Sequence, residues 1–122
     1  MNAPIDHARL LAATASPDIV HGAVCEVLTS VFPTMRPETL LSSEKVNQTT
    51  WWVRQVGMYL MADRLQVSMG QTAAQFGRDR TTVSHACQLC RQEAADRPAT
   101  AALFDFLEAQ VIAALVRAEG SV

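Results

Sequence analysis

Apolar positions recur at helical spacing in one stretch of this chain after another. Val20, Ala23, Val24, Val27, Leu28 and Val31 form the first clear stripe. Ser16-Pro17-Asp18 opens it as an N-cap followed by proline at the first helical position, and Pro33 closes it. Upstream, Ile5 to Ala15 is short and mildly amphipathic. Pro37 to Leu41 has room for one helical turn, and Ser42 to Thr50 is polar and aperiodic, so it reads as a loop. A further helix is predicted from about Thr50 to Gln66. Ser68-Met69-Gly70-Gln71 has the form of a capping box, which starts a short helix running to Phe76. Gly77 then stops it, because glycine tolerates positive φ. Asp79 caps the next helix, on which Val83, Ala86, Cys87, Cys90 and Ala94 line one face. Asp96-Arg97-Pro98 breaks that helix, and a last one carries Leu103, Phe106, Leu107, Val111, Ala114 and Leu115. The pattern predicts an all-α fold with a helix-turn-helix at its centre. It divides into an extension over residues 1–16, a domain over 17–98 and a C-terminal helix over 99–122 that packs on the domain or on a partner.

The stretch from Phe76 to Cys87 holds the candidate chemistry. Opposite its apolar stripe the helix bears Arg80, Thr81, Ser84, His85, Gln88 and Arg91. Arginine, threonine and histidine near a helix start suit the base edges and phosphates of duplex DNA. A short helix, a tight turn and a longer polar-faced helix are the parts of a helix-turn-helix.

Val53-Arg54-Gln55-Val56-Gly57-Met58-Tyr59-Leu60, then Phe76-Gly77-Arg78-Asp79-Arg80-Thr81-Thr82-Val83 and His85-Ala86-Cys87, resemble the C-terminal DNA-binding domain of the bacterial replication initiator DnaA. That family reads Arg-Gln, two more residues and Met, and later Gly-Gly-Arg-Asp-His-Thr-Thr-Val, one residue, His-Ala. The resemblance spans roughly residues 17 to 116, the last part in pattern only. It implies a compact multi-helix domain, similar to the Trp-repressor-like DnaA fold, that reads a short DNA box. The DNA-binding residues it implies are Lys45 in the basic loop, Arg54 in the minor groove, Arg78 at a phosphate, Asp79, Arg80 and Thr81 at bases, Thr82 at a phosphate, and His85 at groove or backbone. A narrow A·T minor groove concentrates the negative potential that attracts arginine. Aspartate can accept from a cytosine amino group, and a threonine methyl can touch that of thymine. The plainer alternatives are a pairing of Arg54 with Asp63 or solvent, and a purely capping Asp79. Arg91 is a phosphate contact or part of a solvated face. Trp51 and Trp52 flank the loop: one is read as core and the other as covering the loop base or touching the DNA backbone, with core packing the plainer reading of both.

Three departures from the family pattern bear on affinity and preference. Arg80 stands where the family has histidine, and arginine favours guanine O6 and N7, so a shifted or relaxed box preference is expected. One glycine of the usual pair is missing. Glu44-Lys45-Val46-Asn47-Gln48-Thr49-Thr50 stands in place of a Lys/Arg cluster.

The formal charge of −2 is unevenly spread. Residues 45–91 hold six basic side chains against two acidic ones, whereas both flanking segments are acidic. A basic centre between acidic ends marks a local nucleic-acid surface. With some 3–4 phosphate contacts, the logarithmic salt slope would be about −3.

Half of the 122 residues are hydrophobic (49%), ample for one domain. No run is read as long and apolar enough to cross a membrane, and the N-terminus lacks a basic-then-apolar leader, so a cytoplasmic, nucleoid-associated protein is expected. No Gly-x-x-x-x-Gly-Lys-Ser/Thr loop occurs, so no ATPase activity is expected. Cys25, Cys87 and Cys90 form no disulfide framework. Cys87 and Cys90 share the buried stripe, and with no second Cys or His pair no metal or cofactor is expected. No Ser/His/Asp or carboxylate-pair constellation stands out, so an enzyme is not expected. The alternative function is a protein-interaction module or homodimer on the same fold, motivated by the acidic flanks, the thin basic loop and Phe104 and Phe106 on the last helix.

Overall fold

The computed structural model describes residues 14–36, 38 and 47–120. Among them are five α-helices: α1 (Pro17–Val31), α2 (Gln48–Tyr59), α3 (Met69–Phe76), α4 (Arg80–Asp96) and α5 (Pro98–Gly120). A π-helical turn, Leu60–Arg64, continues α2. Helix α2 packs mainly on α4, and α1 on α5. Most of the Ile5 to Ala15 segment, the Pro37 to Leu41 turn except Glu38, and Lys45 lie outside the described residues.

Local signals set most helix boundaries. Ser16 accepts from the Ile19 amide at 3.3 Å, with Pro17 first in α1, and Val31 is its last residue. Helix α2 starts two residues earlier than its apolar spacing indicates, because the Asn47 side chain caps it by accepting from the Thr50 amide at 2.8 Å. It ends before Gln66, in the π turn, where the Leu65 amide donates to the Leu60 carbonyl at 2.9 Å. Gln66 follows at φ 60°, with its side-chain amide donating to the Asp63 carbonyl at 2.6 Å. Arg97 is extended and separates α4 from α5.

One core joins all these elements. Val20, Val24 and Leu28 of α1 meet Val53, Val56 and Leu60, Phe76 of α3, Val83 and Cys87 of α4, and Phe104, Leu107 and Val111 of α5. The inner face of α5 therefore begins at Phe104, which is fully buried, while Phe106 is 49% exposed. The apolar list read from sequence held Phe106 and omitted Phe104, while the partner-surface alternative counted both; the inner stripe runs 104, 107, 111, 114 and 115, so Phe104 is core and only residue 106 turns away from it. Trp52 packs against Phe104, ring centroids 6.1 Å apart, but Trp51 is 45% exposed. Neighbours on a helix point about 100° apart, so two adjacent tryptophans cannot both face inward.

By length and mean hydropathy, Pro98–Glu119 does qualify to cross a membrane, contrary to the sequence reading. Here that helix serves as a core element, with Phe104, Leu107, Val111 and Leu115 all within 3% of full burial. It is also tied to the π turn. Arg64 bonds Glu108 at 2.7 Å, Asp105 at 2.9 Å and the Tyr59 hydroxyl at 2.7 Å. Burial works against the Arg64 charge, but the hydrogen bonds it donates to Glu108, Tyr59 and Asp105 outweigh that and raise its pKa.

Candidate nucleic-acid interface

Three local devices set the ends of α3 and the start of α4. Ser68 accepts from the Gln71 amide at 3.1 Å and also donates to the Gln71 side-chain carbonyl at 3.1 Å. Gln71 thus answers the cap through its own side chain instead of reaching back to the Ser68 backbone. Gly77, at φ 63°, ends α3 in a Schellman turn. Its amide donates to Ala74 at 3.3 Å, and the Arg78 amide to the Ala73 carbonyl at 2.9 Å. Asp79 then caps α4, accepting from the Thr82 amide at 2.8 Å. The backbone and side-chain bonds from Thr82 hold the Asp79 carboxyl below its usual pKa, so it is a carboxylate at neutral pH.

Helix α4 is sided as its sequence demands. Val83, Ala86, Cys87 and Cys90 have no exposed surface. Asp79, Arg80, Thr81, His85 and Gln88 are exposed, with Thr82 and Ser84 half-buried beside them. The N-cap and first two turns of α4 therefore present a carboxylate, a guanidinium, a hydroxyl and an imidazole at the surface. Between α3 and the start of α4 lies an open groove of about 870 Å³, bordered by Ser68, Gly70, Gln71, Ala74, Arg78 and Arg80.

The arginines of the basic segment are not alike. Arg80 and half-buried Arg78 flank Asp79 at the surface. Arg54 lies inside α2, not at its start, and only 3% of it is exposed. Burial and the neighbouring Arg78 charge both lower its pKa. A minor-groove contact by Arg54 would require its guanidinium to emerge. Arg91 is an ion-pair partner of Asp63 at 2.6 Å, which joins α4 to the π turn and raises the Arg91 pKa. Asp63 thus pairs with Arg91, the partner that spacing along the chain suggested for neither. Two residues bordering the groove escaped the sequence reading, Gly70 and Ala74 of α3. A glycine within a helix with no turn to make is the signal that marks Gly70.

The remaining reactive side chains are quiet. Burial, with Asp63 nearby, pushes the Cys87 thiol up to about 11, and burial with Cys87 beside it takes Cys90 to about 12. Both are protonated thiols in the core at neutral pH. Among the described residues, no three His, Cys, Asp or Glu side chains converge to hold a metal.

An all-helical domain that offers a short capped helix, a left-handed glycine turn and an exposed polar helix start is a helix-turn-helix DNA-binding domain. The family model for the bacterial dnaA protein helix-turn-helix matches residues 27–89, just over half of the chain, and the chain belongs to that family. No curated protein matches the chain. The match includes α2, α3 and most of α4, and membership implies binding of double-stranded DNA.

Proposed function

We propose that this chain is a sequence-specific reader of DnaA-type boxes that regulates transcription or the occupancy of initiator boxes, on the nucleoid and without nucleotide hydrolysis. The observation that carries the reading is the start of α4. Asp79 at the N-cap and Arg80 and Thr81 in the first turn are all exposed there, clear of the buried stripe. Asp79 accepts from a cytosine amino group, Arg80 takes guanine O6 and N7, and Thr81 touches a thymine methyl. Arg78, Thr82 and His85 meet phosphate or groove edge, and Lys45 adds a backbone contact. Arg54 joins only if α2 uncovers it. Arginine at position 80 shifts the preferred box away from the family's usual one. Occupying a box without opening it would suit a regulator of initiator access, since these residues include no phosphate-binding loop.

Fluorescence anisotropy tests this reading with a DnaA-type box duplex and a scrambled one, at low and moderate salt. Box-selective binding that an Arg80→Ala, Thr81→Ala variant abolishes is the expected result. Equal, salt-erased binding to both duplexes would overturn it.

A second reading, self-association through α5, is favoured by Phe106 and Val116, exposed by 49% and 43% on the side of the helix facing away from the core. Light scattering after size exclusion decides it: a strict monomer at about 10 µM and above removes it. A dimer would place two recognition helices for paired half-sites.

A further inference from the structure

Arg80 does not project freely from the start of α4. Its guanidinium lies across the first turn of α3, directly over Gly70. A Cβ placed on Gly70 would stand 2.9 Å from Arg80 Nη2, 3.1 Å from Nε and 3.3 Å from Cζ. With Nη2 and Nε both nearer than Cζ, the guanidinium turns its Nε–Nη2 edge toward the bare Cα of the glycine. No other residue type leaves that space.

Charge does not explain the position. The first turn of α3 is the positive end of its dipole, which repels a cation. Among the described residues no carboxylate or carbonyl bonds the Arg80 guanidinium. Nor does helix formation explain the glycine, since it is among the poorest helix formers and alanine would serve the eight-residue α3 better. Room is what remains: the glycine lets the arginine lie in the groove between the two helices instead of pointing outward.

We infer that Gly70 is a specificity-determining positioning residue, which acts through Arg80 by setting the line along which that guanidinium reaches a base. The inference rests on the assignment of Arg80 as a base reader. With a methyl group at position 70 the flexible end of Arg80 must lift outward, and bidentate geometry to guanine tolerates little displacement. An arginine held by room alone, with no ion pair to break, also turns toward DNA at little cost.

The test is a four-protein cycle on the full chain: native, Gly70→Ala, Arg80→Ala and the double variant. Each is titrated by competition anisotropy against a DnaA-type box duplex in which every base pair is varied in turn. Gly70→Ser is carried as a second replacement, and thermal melting confirms that each variant folds. Arg80→Ala should flatten discrimination at one base-pair position. Gly70→Ala should change discrimination at that same position by about fivefold to tenfold, melt no lower than native, and add nothing once Arg80 is gone. Two results overturn the inference. One is that both Gly70 variants keep native discrimination at the position that Arg80 controls. The other is that Gly70→Ala acts equally with and without Arg80. If Arg80→Ala flattens no position, the assignment of Arg80 fails first, and the role of Gly70 fails with it.

Discussion

Two arginines, Arg64 and Arg80, show how one residue type divides between holding this fold and forming the surface proposed to read DNA. Arg64 sits at the back, where the π turn meets α5, bonded to Tyr59, Asp105 and Glu108. The Glu108 side chain is only 7% exposed, so the pair closes a largely buried seam between segments 44 residues apart. Arg80 sits at the front with a glycine beneath it and solvent above. The difference is which acidic residues the fold brings near. Counting basic residues in the middle segment therefore overstates the charge offered to DNA, because Arg64 and Arg91 are held by carboxylates.

That contrast makes separable predictions. The largest effect belongs to the back: Arg64→Met should lower folding stability by about 2–4 kcal/mol, because the Glu108 carboxylate loses the cation it is held against. Box affinity per folded molecule should stay native. Urea unfolding and anisotropy measured together would expose any mixing of the two roles. At the front, Arg80→Ala or Thr81→Ala should each weaken box binding by about 1–3 kcal/mol, with stability within about 0.5 kcal/mol of native. A variant that loses stability instead would place Arg80 with Arg64.

The salt dependence sharpens the division. Arg78→Ala should reduce the magnitude of the logarithmic salt slope by about 1, whereas Arg91→Ala should leave it unchanged, since Arg91 serves Asp63. The smallest effect concerns Asp79. Its folded pKa lies below the unfolded value, so the stability it contributes is present above the ordinary carboxylate range and lost as pH falls through the folded pKa. Asp79→Ala should remove that acid-dependent part and Asp79→Asn should keep the cap while removing the titration. Thermal melting from neutral to acidic pH reads both.

Legibility in the sequence followed the range of the interaction. Ser16, Ser68 and Asp79 act as caps within three residues of themselves, and Gly77 takes positive φ because of its own missing side chain. The break at Arg97-Pro98 and the sidedness of α4 are equally local, so helix order, the helix-turn-helix and its polar face could all be read directly. Where two determinants compete, periodicity alone misled: its apolar list held Phe106 and omitted the buried Phe104, and it began α2 at Thr50, although the cap lies at Asn47.

By itself, then, the sequence determined the helical elements, their ends and the family, since each rests on contacts within a turn or two of the chain. Tertiary structure alone decided which arginines are available. Asp63 claims Arg91 across 28 residues, Glu108 claims Arg64 across 44, Arg54 is buried, and Arg80 comes to rest on Gly70. Charge partners and burial depend on which helices meet, and no spacing along one helix encodes that meeting.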